Sequence, residues 1–226
     1  MDSPEPFKVM DCSLVRCPTG RSCANLRELR DAIQTVPEAV IEHHMMRCAL
    51  EDHFALYEFP NDLALWCWNA LGDHLLAEHL GVVDPYQHPD IATLREHLLD
   101  YIDDRLWSLD RVPWCRGGLE LHLVQSRLVS YDTGERISTP AALVDAVDRM
   151  SSRSLFYHVH EARRRSGGTT DDFSLWFEDL GVDPEAVRRL RAIDFYFLNL
   201  QQLREELLAV FQECLMDPLD RKGTRR

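Results

Sequence analysis

Residues 154–165 read SLFYHVHEARRR, and residues 40–50 read VIEHHMMRCAL. Both segments have helical periodicity, and each sets one histidine, His158 or His44, on the apolar face. In the first segment that face carries Leu155, His158, Val159 and Ala162. In the second it carries Val40, Ile41, His44, Met45 and Cys48. Superposing the two histidines requires an offset of 114 residues, and that offset carries much of the chain onto itself.

Leu14-Val15 falls on Leu128-Val129, Thr19-Gly20 on Thr133-Gly134, and Leu29, Asp31 and Ala32 on Leu143, Asp145 and Ala146. Beyond the histidines the offset drops to 110. Asp62 then meets Asp172, Leu65-Trp66 meets Leu175-Trp176, and Leu80 meets Leu190. One further residue is lost before Leu94-Arg95-Glu96 meets Leu203-Arg204-Glu205. Similarity of this length reads as a duplicated domain rather than a solenoid. The expected organisation is a first helical repeat at 1–104, a linker at 105–120, a second repeat at 121–213 and a disordered tail at 214–226.

Within each copy the order is the same. A strand-like stretch, Phe7–Val15 or Leu121–Tyr131, leads into a Thr-Gly turn, Pro18-Thr19-Gly20 or Asp132-Thr133-Gly134. A helix capped by Asn25 or Thr139 comes next, then the histidine helix. A short helix capped at 61/62 or 171/172 carries the tryptophan, a weaker segment covers His74–Leu80 or Pro184–Leu190, and an amphipathic helix ends each copy at Asp90–Asp103 or Asp194–Cys214. The predicted fold class is mainly α, with a short β-hairpin or extended arm per repeat. Its two homologous helical lobes are expected to be related by a pseudo-twofold axis.

The motifs TGERIST (133–139), LFYHVHEARRR (155–165), DDFSLW (171–176) and LREELL (203–208) resemble a bacterial family known only as a domain of unknown function, often met as two copies. TGRSCANLREL (19–29), IEHHMMRC (41–48) and NDLALW (61–66) repeat the pattern in the first copy. There Glu42-His43 replace the aromatic-Tyr pair and EARxR is missing. The resemblance covers nearly the whole chain and implies a fold but no activity.

The 226-residue chain has a net charge of −13, 45% hydrophobic and 28% charged residues. That balance argues against nucleic acid, whose phosphates call for clustered Lys and Arg, and against anionic membrane surfaces. No run approaches a spanning helix and residues 1–11 lack a signal-peptide core, so a cytoplasmic location is expected. The seven cysteines form no CxxC pair and read as free thiols that fill space, with Cys12, Cys17, Cys23, Cys48 and Cys67 aligning mostly with core fillers.

Of ten histidines, only His44 and His158 coincide between copies. Either they are hydrogen-bonded core anchors or they form a ligand site together with Tyr157 and Arg163. A metal site would use His158, His160 and Glu161, or Glu42, His43 and His44. Residues i and i+2 diverge on a helix, and no HExxH spacing occurs, so no metal ligands and no cofactor are assigned. Arg163, Arg164 and Arg165 suit a helix C-terminus or would clamp an anion. Asp62 and Asp172 read as caps, and Arg95-Glu96 and Arg204-Glu205 as charges on the solvated side of the last helix, there to pair with the surface or the other copy. No catalytic residue is identified, because no nucleophile, elbow or phosphate loop is present. The reading is a non-catalytic cytosolic interaction or adaptor protein whose partner is another protein or a second copy of itself. The alternative is a small-ligand-binding or catalytic protein using His44 and His158.

Overall fold

A computed structural model describes residues 5–51 and 59–215, with side chains to residue 213. Most of the stretch expected as a tail at 214–226 lies outside the described residues. The chain forms two compact units. One comprises residues 14–129, the other residues 1–13 together with 130–226. Each boundary falls inside a strand.

The strands are β1 (Phe7–Cys23) and β2 (Leu121–Ile137), each 17 residues long. They form one two-stranded sheet. The pairing is antiparallel, because Thr19 Oγ1 donates to the Leu123 carbonyl (2.7 Å) and Thr133 Oγ1 donates to the Val9 carbonyl (2.6 Å). This corrects the expectation of a hairpin per repeat and of two homologous lobes about a pseudo-twofold axis. Neither Thr-Gly reverses the chain. Gly20 and Gly134 take positive φ (74° and 83°) within continuous strands, the conformation a bulge glycine adopts. Each threonine hydroxyl also accepts the N–H two residues on, from Arg21 or Glu135. Each strand leads on within two residues to a helix, and its ladder partner is the other strand.

The unit of residues 14–129 holds α1 (Leu26–Thr35), α2 (Glu38–Met45), α3 (Asp62–Trp66), α4 (His74–Gly81) and α5 (Ile91–Ser108). Asn25 Oδ1 accepts the Glu28 N–H, while Glu28 reaches back to the Ala24 N–H and the Asn25 amide, a reciprocal capping box. The buried stripe Leu26, Leu29 and Ile33 packs in one core with Ile41, Leu63, Leu80, Leu98 and Leu123. α5 continues through Ser108, into the stretch read as linker.

The other unit holds α6 (Pro140–Arg149), α7 (Ser152–Phe156), a π-helical turn (Tyr157–Glu161) and α8 (Ala162–Arg165). It continues with α9 (Asp172–Asp179), α10 (Pro184–Arg191) and α11 (Leu200–Leu215). α11 begins later than Asp194 because Asn199 supplies the cap, its Oδ1 accepting the N–H groups of Gln201 and Gln202.

Arg95 and Arg204 are not solvated charges. Arg95 donates to the Ile33 carbonyl, and Arg204 donates to those of Val147, Asp148 and Met150. Each guanidinium satisfies carbonyls left open at the C-terminal end of the first helix of its unit. Arg204→Met keeps the aliphatic stem and removes these charge-assisted bonds. Urea unfolding should show a loss of about 2 kcal/mol. A loss below about 0.5 kcal/mol, the scale of a neutral surface change, would assign the arginine no structural role.

Candidate functional site

The histidine segments differ locally in the two units. In one, α2 ends at Met45 and a 3-10 turn follows at Arg47–Leu50. In the other, His158 lies in the π-helical turn between α7 and α8. Both imidazoles nevertheless reach the same kinds of partner. His158 Nδ1 lies 2.8 Å from Asp172 Oδ2, and His158 Nε2 lies 3.0 Å from the backbone nitrogen of Met10 on β1. His44 Nδ1 lies 2.8 Å from Asp62 Oδ2, and its Nε2 lies 3.1 Å from the backbone nitrogen of Val124 on β2. Met10 and Val124 are related by the same offset of 114.

A backbone N–H can only donate, so Nε2 must accept in both rings. The proton of each neutral imidazole therefore sits on Nδ1 and is donated to the carboxylate. Every ring nitrogen is occupied, and the rings are sealed, with His44 3% and His158 2% exposed. Phe7 and Phe173 cover His158, with ring centroids at 4.7 Å and 5.6 Å. Neither histidine has a lone pair left for a substrate proton or a ligand.

The caps of the short helices are Asn61 and Asp171, not Asp62 and Asp172. Asn61 Oδ1 accepts the Ala64 N–H and its Nδ2 donates to the Leu80 carbonyl (3.0 Å). Asp171 caps α9 through the Ser174 N–H but has no hydrogen to donate to Leu190, the counterpart of Leu80. Arg163 supplies that donor. Its Nη2 lies 3.4 Å from Asp171 Oδ2 and 3.5 Å and 3.4 Å from the Leu190 and Arg191 carbonyls. Its guanidinium also rests over the Phe195 ring at 4.4 Å. Arg163 Nε is buried without a hydrogen-bond partner among the described residues.

The remaining basic residues are also engaged. Arg164 binds Glu161 through both carboxylate oxygens. Arg165 bonds Asp172 and lies over the Tyr157 ring at 4.5 Å. Tyr157 thus joins the edge of the His158–Asp172 group, while Arg163 belongs to the cap of α9. The anion clamp does not form, because its three arginines are already paired.

His43, His44 and Asp62 place ligand atoms within 4.8 Å of one another. The protonation pattern speaks against an ion there, since His44 Nδ1 carries hydrogen for as long as Nε2 accepts from Val124. His43 Nδ1 in turn pairs with Ser126 Oγ at 3.1 Å. Tyr157 takes the place of His43 in the other unit. His158, His160 and Glu161 do not converge either, because His160 stacks on Phe156 and meets the edge of Phe195. Zinc added at a small molar excess should leave the melting temperature unchanged. A rise abolished by His43→Ala would restore the metal reading.

Cys12, Cys23, Cys48 and Cys67 are buried and Cys17 is exposed. Burial pushes the Cys12 thiol up to about 12 and the Cys23 thiol to about 11, which makes both inert. Cys17, expected to fill space, lies instead on the open part of β1.

Burial lowers the imidazole pKa of His43 to about 4, helped by neighbouring His44, and that of His160 to about 3, helped by Arg163. The unfolded chain takes up these protons near 6.5 and the folded chain does not. Stability is therefore intact above about pH 6.5 and falls as pH drops toward 4, by up to about 1.4 kcal/mol per pH unit for each histidine. His160→Phe keeps the aromatic contacts and should flatten that slope in urea unfolding at pH 7 and pH 5. An unchanged slope would show that His160 titrates normally.

A family model described as "Family of unknown function (DUF5752)" matches residues 4–212 as one domain. This single match, with the one two-stranded antiparallel sheet, overturns the two-lobe expectation. Among solved structures, "The structure of OrfY from Thermoproteus tenax" is similar, with 27% identity and a TM-score of 0.76 over 95% of this chain and 99% of that one. No curated protein matches the chain. The chain belongs to the DUF5752 family of unknown function.

Proposed function

We propose that this chain is a non-catalytic interaction or adaptor protein that binds another protein. The observation that carries the reading is the exposure of two large aromatic side chains around the connection after α5. Trp107 is 90% exposed and Trp114 is 66% exposed. Tryptophan is costly to leave in water and is enriched at the centres of protein interfaces. The opposite holds for the groups that could have done chemistry. His44 and His158 use both ring nitrogens internally, and Arg163, Arg164 and Arg165 are paired within the fold.

A net charge of −13 favours a partner with a basic rim around an apolar centre and disfavours nucleic acid and anionic membranes. Among the described residues no helix is long and apolar enough to cross a membrane. The reading takes the protein as cytoplasmic and bacterial, and its sequence as the product of an internal duplication. The paired bonds of His44 with His158, Thr19 with Thr133 and Arg95 with Arg204 support the duplication.

Crosslinking in cells, read by mass spectrometry, should recover a partner crosslinked near residues 105–116. The double variant Trp107→Ser, Trp114→Ser should lose it with little change in melting temperature. A mass that doubles with concentration and reverts in the double variant would make a second copy the partner. A metabolite whose binding depends on His158 would overturn the adaptor reading.

A further inference from the structure

Each strand is tied to its unit through the lone pair of one imidazole. The first half of β1 is held where the Met10 N–H donates to His158 Nε2, and the first half of β2 where the Val124 N–H donates to His44 Nε2. Such a bond exists only while the ring is neutral. A proton on Nε2 turns the acceptor into a donor facing a donor, so the bond is lost and two N–H groups oppose each other. On the other side of each ring Nδ1 keeps its carboxylate partner, Asp172 or Asp62, in either protonation state.

We infer that His158 and His44 are acid-operated latches whose protonation releases the strand segments around Met10 and Val124 while the helices stay folded. The device needs no partner and is independent of the adaptor reading.

The surroundings of each ring decide how it responds. His158 faces Asp172 from α9, whose carboxylate also binds Arg165, together with Tyr157 edge-on and Phe7 and Phe173 packed against it at a tilt. His44 faces Asp62 from α3 and lies edge-on to His43, with ring centroids at 4.9 Å. Around Met10 the release is concerted. Ser154 Oγ bonds the Met10 carbonyl, Ser151 bonds Asp11, and Trp176 Nε1 bonds the Glu5 carbonyl at 2.9 Å. Opening this segment uncovers Phe7 and Val9, which are buried in the closed state. In the other unit the corresponding release uncovers Leu121 and Leu123, and frees Ser126 from His43 and Arg47.

The test is a nuclear magnetic resonance titration of the intact chain, reading imidazole nitrogen shifts and backbone amide exchange from pH 8 down to the onset of unfolding. At the top of the range both rings should carry their proton on Nδ1. As the pH falls, the Met10 and Val124 amides should lose protection about tenfold per pH unit below the ring transition, while the amides of α1 and α6 keep theirs. His158→Gln, which offers an acceptor that does not titrate, should hold Met10 protected to lower pH and leave Val124 unchanged; His44→Gln should do the reverse. If His158→Gln does not fold, the ring shifts of the unaltered chain still decide. Nε2 protonated at pH 8, or loss of Met10 and Val124 protection only together with α1 and α6, overturns the proposal.

Discussion

Both units depend on one arrangement, a neutral imidazole whose two nitrogens play opposite roles. Nδ1–H donates to an aspartate and Nε2 accepts from a strand amide. An aspartate alone could accept an amide but could not also hold the next helix. An amide side chain has the two roles but lacks the flat ring that Phe7 covers. Histidine in a single tautomer joins three elements at one point: strand, histidine segment and short tryptophan helix. Tryptophan reinforces the joint, since Trp66 and Trp176 each donate Nε1–H to a carbonyl just ahead of the strand, that of Leu119 or Glu5. Buried polar groups of this kind tolerate little change, because removing one partner leaves the others unsatisfied in a low-dielectric setting.

Where the units differ, the difference is compensated. Asn61 both caps α3 and donates to Leu80, and the single amide suffices. Asp171 cannot do both, and Arg163 completes the second bond from α8. The arginine brings a charge into the interior, where the Asp171 carboxylate and the face of Phe195 offset its burial. The EARRR segment therefore belongs to the packing of its own unit. That moves attention away from the most site-like part of the sequence and toward the exposed tryptophans of the other unit.

Much of this was legible in the sequence. The coincidence of His44 with His158 marked the joint, and that of Asp62 with Asp172 marked the other half of the same bond, although both aspartates read more simply as caps. Asn25, Thr139 and the amphipathic stripes located helices, because caps and 3.6-residue periodicity are local properties. The acceptors of Arg95 and Arg204 and the donors to His44 and His158 left no trace, because backbone N–H and C=O groups are present at every position and carry no side-chain signature.

By itself the sequence determined the approximate helical segments, the caps at Asn25 and Thr139, the internal similarity and the two histidines on apolar faces. Only the tertiary structure decided that Thr-Gly continues a strand instead of turning it, and that the two strands pair with each other. It also fixed which nitrogen of each imidazole carries the proton. The reason is physical. Helix hydrogen bonds close within four residues and are written locally, whereas a strand's partners are chosen at a distance. A histidine's tautomer is fixed by whichever donor, here Met10 or Val124, the fold brings to its lone pair.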